Sequence, residues 1–227
     1  MTAPSPADLD RLYVAIERVA EVRGRLALAD AILSTSVPVR GVYFVFDVGE
    51  HRATSHGLRV VRVGTHGLAR GSHSTLRGRL RQHCGSRTGF GNHRASVFRS
   101  HVGAALLHRG GHDLPSWGVR GAEARRQRAS EREHERLVSR YMRELLVVTL
   151  EVADDPGPAS RRGFIERNSI ALLASVGSRV DPPSAEWLGW SSTREAVRSS
   201  GLWNVRHGSD TVDPSFLAVL ETMVFGA

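Results

Sequence analysis

The chain of 227 residues has the composition of a globular protein, with 41% hydrophobic and 24% charged residues, and it is long enough to bury a hydrophobic core. Its single cysteine, Cys84, excludes an intramolecular disulfide, and no apolar run approaches the roughly 18 residues of a membrane-spanning helix. The N-terminal residues lack the basic and apolar regions of a signal peptide, so we expect a cytoplasmic protein without a membrane partner.

The formal charge of +8 is unevenly distributed along the chain. Between His51 and Glu144 there are 19 arginines against 6 acidic residues, and ten of the eleven histidines lie in the same stretch. Such a basic region is typical of proteins that bind nucleic-acid phosphates. All 31 basic residues are arginine, however, which genomic base composition also explains. Charge alone therefore leaves nucleic-acid binding open.

The first predicted element is one long helix from Ser5 to about Ile32. Ser5 and Pro6 suit the N-cap and the first helical position, and apolar residues then recur at helical spacing. Gly24 weakens this pattern and is a point at which the helix could divide.

Three strands follow from stretches rich in β-branched and aromatic residues, at 41–47, 58–64 and 145–152. Amphipathic or capped segments predict the further helices, which lie at 74–83, 97–107, 131–143, 161–175, 193–199 and 214–224. The order of these elements predicts an α/β (α+β) fold, in which a small, mostly antiparallel three-stranded sheet is flanked by helices.

Tyr43 lies inside the first strand, where its phenol could accept a proton from an attacking water if a nearby cation lowered its pKa. The alternative is that Tyr43 is an ordinary aromatic core residue. Arg79 and His83 are four residues apart on the short helix and share a face, so they could hold a phosphate and manage a proton beside it. The alternative for this pair is an exposed helix face.

Glu166 is the one acid in a helix whose later positions are largely apolar. A partly buried carboxylate usually needs a cation or a metal. One carboxylate suffices to anchor Mg²⁺ when water and substrate phosphates supply the other ligands. A salt bridge to Arg162 or Arg167 is the alternative.

Taken in order, these motifs resemble the GIY-YIG nuclease superfamily. The tripeptide GVY at 41–43 is similar to the GIY element, RVG at 62–64 occupies the place of YIG, and the helix with Arg79 precedes the helix with Glu166. The Arg-x-x-x-His spacing from Arg79 to His83 is similar to that of restriction-type members. The likeness covers roughly residues 36–178 and depends on the order and spacing of its motifs.

The resemblance implies a metal-dependent endonuclease that hydrolyses DNA by a one-metal mechanism, with Mg²⁺ or Mn²⁺ bound by Glu166. It further implies that Arg79 and Arg62 stabilise the scissile phosphate, and that Tyr43, assisted by His66 or His83, orients or deprotonates the water. The second tyrosine of the family pattern is absent here, since Arg62 replaces it. His66 is the candidate that compensates for this loss.

The resemblance also divides the chain into a nuclease-like core at 36–178, with an insertion at about 85–130, and two extensions at 1–35 and 179–227. Asn168 and Asn204 both compete for the place of a family asparagine. The further candidates for substrate contacts are Arg77, Arg81, Arg94, Arg99 and Asn204.

Two other functions remain open at this stage. A non-catalytic nucleic-acid-binding protein on a decayed nuclease core is favoured by the missing tyrosine. A zinc protein would use His101, His108 and His112, but no paired Cys/His spacing supports it. For a nuclease we expect DNA as the partner, a role in restriction, defence or repair, and possible homodimerisation through the N-terminal helix.

Overall fold

A computed structural model describes residues 4–86, 88–121 and 129–226 of the chain. Over these residues the strands form one antiparallel sheet, in the order β1-β4-β2-β3. The strands are β1 (Leu26–Ala27), β2 (Gly41–His51), β3 (Leu58–Gly64) and β4 (Leu146–Glu151).

Helices cover both faces of this sheet. Those described are α1 (Pro6–Arg23), α2 (Leu28–Ala31), α3 (Leu76–Cys84), α4 (Val97–Arg109), α5 (Arg132–Glu144), α6 (Arg161–Leu172), α7 (Glu195–Ser200) and α8 (Phe216–Phe225). Shorter helical turns lie at His93–Ala95, Leu173–Gly177, Ser178–Val180 and Leu188–Ser191. Among the residues described, none of the helices combines the length and apolar character needed to cross a membrane.

The predicted fold class is confirmed, with one difference at the start of the chain. The N-terminal helix ends at Arg23 rather than near Ile32, because Gly24 adopts a positive φ of 85° and turns the backbone. The next residues form the two-residue strand β1, which pairs with β4 and makes the sheet four-stranded. A strand this short has no periodic pattern by which the sequence could reveal it.

Strand β2 separates two hydrophobic clusters through its alternating side chains. Val42 and Phe44 face a cluster that includes residues of α1, α6 and α8. Tyr43 and Val45 face the other cluster, built with α2, α3, α4 and α5. Helices α3 and α6 therefore approach the sheet from opposite faces, and side chains from both can meet only beyond the end of a strand.

The free edge of β3 is covered by a segment from the C-terminal part of the chain. The Trp203 amide donates to the carbonyl of Val61 at 2.8 Å. Asn204 uses its side chain in the same way, since it accepts from the amide of Val63 at 3.0 Å and donates to the carbonyl of that residue at 2.9 Å. These bonds satisfy backbone groups that an open strand edge would expose.

Candidate active site

A cleft of about 660 Å³ opens where β3 ends, and its walls come from three parts of the chain. Thr65 and His66, which follow β3, form one part of the lining, Arg79 of α3 forms a second, and Glu166 of α6 forms a third. Two residues 87 positions apart in the sequence thus meet in one water-accessible space.

Glu166 is fixed at the end of the sheet by a single backbone donor. The Thr65 amide donates to its Oε1 at 3.1 Å, and no protein donor reaches Oε2 within the described ranges. Burial raises the pKa of the carboxyl, while the charges of Arg62, His207 and Arg79 act in the opposite direction. Arg162, a sequence-based candidate for its ion-pair partner, instead binds Asp154.

Two guanidinium groups in this region have hydrogen-bonding capacity that the protein does not use. Arg79 donates to Gln82 at 3.1 Å, but its buried Nε has no partner among the residues described. Arg62 donates to the carbonyl of Trp203 at 2.9 Å and lies over the ring of Phe98, and its buried Nε is also without a partner there. Buried donors of this kind are costly unless a ligand or water satisfies them.

Tyr43 and His83 are absent from the lining of the cleft and form a buried pair beside Gly64. The Tyr43 hydroxyl lies 2.7 Å from His83 Nε2, and His83 Nδ1 lies 2.7 Å from the hydroxyl of Ser96. A Cβ atom at position 64 would stand 2.3 Å from the Tyr43 hydroxyl, so only glycine permits this placement. Position 41 is restricted too, because a Cβ there would meet the carbonyl oxygen of Leu150 at 2.2 Å.

His83 is held in its neutral form by its surroundings. Burial lowers the pKa of its imidazole well below the usual value, and the charges of Arg62, Arg79 and Arg99 lower it further. A neutral imidazole has one N–H donor and one acceptor nitrogen. His83 can therefore accept from Tyr43 while it donates to Ser96.

His66 is neutral for similar reasons. Its Nδ1 lies 3.0 Å from the carbonyl oxygen of Ser74, which fixes the proton on that nitrogen, and its Nε2 lies 3.4 Å from the guanidinium of Arg162. Burial and the charge of Arg162 lower the pKa of His66 to about 4.

The pKa of His66 predicts a loss of stability in acid. Since the folded-state pKa of about 4 lies below the ordinary 6.5, the stabilisation is complete above pH 6.5 and is lost as the pH falls towards 4. We expect His66→Asn, which keeps an N–H donor but cannot be protonated there, to lessen this loss by roughly 2–3 kcal/mol. Denaturant unfolding of both proteins at several pH values measures this loss of unfolding free energy. If the unfolding free energy of His66→Asn falls with pH as steeply as that of wild type, the lowered pKa does not belong to His66.

The other predicted substrate-contact residues lie in different settings. Arg99 is fully buried and bonds to Glu135, and Arg94 binds Glu131 through two hydrogen bonds of 2.6 Å. Both therefore attach the predicted insertion to the start of α5, and positions 87 and 122–128 of that insertion lie outside the described residues. Arg77 donates to the carbonyl of Ser34 at 2.7 Å, whereas Arg81 is exposed on α3.

Neither candidate asparagine has a free side chain. Asn204 binds Val63 as described above, and Asn168 donates to the carbonyl of Phe164 at 2.9 Å and accepts from the amide of Asp213 at 2.7 Å. Both asparagines attach C-terminal segments to the core, a long-range role that local sequence does not reveal.

The donor set at Glu166 fits a hard divalent cation. Glu166 lines a cleft open to water, its Oε2 accepts from no protein donor among the described residues, and oxygen ligands are those that Mg²⁺ and Mn²⁺ prefer. Within the described ranges no three His, Cys, Asp or Glu side chains lie together as a metal site, so water and substrate oxygens would complete the coordination. The zinc alternative at His101, His108 and His112 therefore has no ligand cluster in that part of the chain.

Several residues of this region were not anticipated from sequence. Thr65 orients Glu166 through its backbone, Ser96 contacts His83, and the charge of His207 acts on Glu166. Ser96 precedes a predicted helix and is recognisable as its cap, but its contact with His83 depends on tertiary structure.

Comparison with known proteins identifies the family of this chain. The family model described as GIY-YIG domain matches residues 4–226, which includes nearly all of both predicted extensions. No curated protein and no solved structure matches the chain. Because the match spans nearly the whole sequence, the chain belongs to the GIY-YIG domain family, a superfamily of endonucleases.

Proposed function

We propose that this protein is a metal-dependent endonuclease that hydrolyses phosphodiester bonds in DNA. The observation that carries the proposal is the pairing of Arg79 and Glu166 in one cleft, where the guanidinium has an unpartnered Nε and the carboxylate an unpartnered oxygen. A cation and an anion that face the same space without bonding to each other are suited to a phosphate and a metal ion.

Arg79, which lines the cleft, would bind the scissile phosphate, and Arg62, which is buried outside that lining, would assist it. Their buried Nε donors would gain the acceptors that they lack, and charge developing on the phosphate would meet preorganised donors. Both charges also lower the pKa of His83. A bound phosphate would partly neutralise them and so make His83 a better proton acceptor.

Glu166 would bind Mg²⁺ or Mn²⁺ through its free oxygen. The bound cation would supply positive charge that stabilises the leaving 3′ oxygen. The carboxylate is suited to this role because burial already disfavours its uncompensated charge.

Tyr43 is fully buried beside the cleft, so it would orient the attacking water once DNA binding moves the residues that cover its hydroxyl. With its O–H donated to His83 Nε2, the phenol oxygen keeps lone pairs that accept a hydrogen bond from water. As the water attacks, its proton would pass to the Tyr43 oxygen while the Tyr43 proton passes to His83. Ser96 would accept the hydrogen bond from His83 Nδ1 and thereby fix the tautomer that this transfer needs.

Replacing Arg79 tests the phosphate-binding role. We expect Arg79→Ala to lower the single-turnover rate of cleavage by roughly 10²–10³-fold, the loss typical of one removed oxyanion donor. Arg81 is the matched control, because it lies on the same helix and carries the same charge but is exposed. Arg81→Ala should change DNA affinity and its salt dependence only, and equal rate losses in the two variants would contradict a specific role for Arg79.

Incubation of supercoiled plasmid DNA with the full chain, with Mg²⁺, with Mn²⁺ and with a chelator, tests the activity itself. Nicked or linear product only in the presence of metal supports a nuclease. Metal-independent DNA binding without cleavage favours the alternative, a non-catalytic DNA-binding protein. The absence of the second family tyrosine, which Arg62 replaces, is the feature that favours this alternative. The role of this nuclease in restriction, defence or repair stays a prediction. The homodimer and the domain boundaries are predictions as well.

A further inference from the structure

Helix α5 separates its charged residues by sign. Glu135 of this helix and Glu131, which directly precedes it, are buried. Each carboxylate is paired with an arginine of the predicted insertion, Glu131 with Arg94 and Glu135 with Arg99. Because both negative charges are compensated inside the protein, they do not reduce the positive charge of the outward side of the helix.

The outward side of α5 carries a row of arginines, which we call the α5 stripe: Arg132, Arg136, Arg140 and Arg143. The members are four, four and three residues apart, so they share one face of the helix. The first three are exposed and the last is half-buried. At the rise of an α-helix the stripe is roughly 16 Å long, which is the axial length of about five base pairs of DNA.

Most of the charge of the α5 stripe is not used within the fold. Arg132 and Arg140 form no hydrogen bond or ion pair with another described residue. Arg136 pairs with Glu133, but both side chains are exposed, and a surface ion pair of this kind contributes little. Two exposed acids of the helix, Glu133 and Glu144, leave the four arginines with a net charge of +2.

Phe90 orders two members of the stripe. The guanidinium of Arg132 lies 5.1 Å from the centroid of the Phe90 ring, and that of Arg136 lies 4.6 Å from it. Phe90 is itself held in a tight turn, since its carbonyl accepts from the amide of Ser86 at 2.6 Å and its amide donates to the Ser86 hydroxyl at 3.1 Å. Contacts between cations and an aromatic ring restrict these long side chains, which lowers the entropy that a ligand must remove.

Helix α3 connects the stripe to the cleft. At its C-terminal end, Nη1 of Arg143 lies 3.4 Å from the carbonyl oxygen of Ser86. Arg79 and Gln82 of the same helix line the cleft, and Arg81 is exposed between them in sequence. The stripe and the cleft are therefore separated by about the diameter of one helix, roughly 10–12 Å, and one DNA molecule can reach both.

We propose that the α5 stripe binds the sugar-phosphate backbone of DNA outside the cleft, so that a DNA molecule in the cleft also crosses α3 and contacts α5. The inference rests on the proposed function for the identity of its ligand. Guanidinium groups suit this ligand because they donate two parallel hydrogen bonds to phosphate oxygens. Contacts with phosphates carry no direct sequence information, so the stripe supplies affinity and orientation.

Fluorescence anisotropy of the full chain with a labelled DNA duplex tests the inference. A chelator prevents cleavage, and the measurement is repeated over a series of salt concentrations. We expect the combined variant Arg132→Gln, Arg136→Gln and Arg140→Gln to bind more than about tenfold more weakly at about 0.1 M salt. The slope of the logarithm of the binding constant against the logarithm of salt concentration should fall by about 2–3, because each lost phosphate contact removes about 0.9.

Three exposed arginines on the opposite face of the sheet provide the matched control. Arg11 and Arg18 lie on α1, and Arg179 lies in the helical turn Ser178–Val180. Their combined replacement by glutamine changes the net charge by the same amount and should keep the affinity within about threefold of wild type. Equal losses in the two triple variants would overturn the inference, since net charge alone then explains them.

Two further variants exclude a purely structural effect at Phe90. Lysine at positions 132, 136 and 140 keeps the charge and should keep the salt slope of wild type. A lysine variant that loses as much affinity and slope as the glutamine variant overturns the inference. Arg140→Gln alone removes a side chain with no listed contact to Phe90 and should lower the slope by about 1, whereas a wild-type slope in this variant also overturns the inference.

The outcomes separate this inference from the proposed function. Binding that depends on the stripe, in a chain that does not cleave DNA with any metal, supports the inference and contradicts the nuclease. Metal-dependent cleavage by wild type, with equal DNA affinity in the two triple variants, overturns the inference alone. A wild-type chain that binds no DNA at low salt overturns both.

Discussion

Glu166→Gln is expected to lower the rate of plasmid cleavage by about 10³-fold or more, while the protein remains folded and binds DNA within a few-fold of wild type. Glutamine preserves the shape of the side chain and an oxygen that accepts from the Thr65 amide. It removes the negative charge that would hold the cation. A bound cation stabilises the transition state by several kcal/mol, and losing that stabilisation corresponds to this loss in rate. Cleavage and DNA binding, measured on the same preparation, test both halves of the prediction.

Stability gives an independent readout for this variant. Burial raises the folded-state pKa of Glu166, so the folded protein favours the protonated carboxyl. The stabilisation from that preference is complete below the unfolded-state pKa and is lost as the pH rises through the folded-state pKa. The ionised carboxylate therefore destabilises the fold near pH 7, and Glu166→Gln should melt at the same or a higher temperature. Mn²⁺ should raise the melting temperature of wild type more than that of the variant.

The exposed Glu186 provides a control for the loss of one negative charge. Glu186→Gln should cleave and melt as wild type does. Cleavage by Glu166→Gln at a rate near that of Glu186→Gln would remove Glu166 from the active site.

Tyr43→Phe is expected to reduce the single-turnover rate by roughly 10²–10⁴-fold, the range that a positioned proton-transfer group contributes. The ring volume is unchanged, so the packing against Gly64 is kept. The variant loses the hydrogen bond to His83 and leaves a buried acceptor unsatisfied, which costs about 1–3 kcal/mol of stability. The rate should therefore be measured at a temperature at which the variant is fully folded.

Tyr13 is a matched control for that loss of stability. It is also a buried tyrosine, its hydroxyl accepts from the amide of Val60 at 3.0 Å, and it belongs to the core cluster on the other face of the sheet from Tyr43. Tyr13→Phe should lose similar stability and keep the wild-type rate. If the two variants cleave equally fast, the phenol of Tyr43 has no chemical role.

The main strands could be predicted because their physical signals are local. Residues 41–47, 58–64 and 145–152 combine β-branched and aromatic side chains, and three of the four described strands form in these segments. Gly41 and Gly64 carry a further signal, since each stands where a Cβ would collide with a neighbouring strand or with Tyr43. These positions belong to the motifs on which the family resemblance depended.

The parts that could not be predicted depend on distant contacts. Asn204 and Asn168 both competed for the place of a family asparagine, yet each binds the backbone of another segment. Arg99 and Arg94 contributed to the basic stretch, but both form ion pairs inside the protein. A count of arginines therefore overstates the positive charge that is available to DNA.

A structure of Tyr43→Phe bound to a short DNA duplex and Mg²⁺ would test the central claim most directly. We expect one Mg²⁺ at roughly 2.0–2.1 Å from Oε2 of Glu166, with a backbone phosphate that bridges the ion and the guanidinium of Arg79. A phosphate bound elsewhere on the chain, or a metal ion that does not contact Glu166, would contradict it.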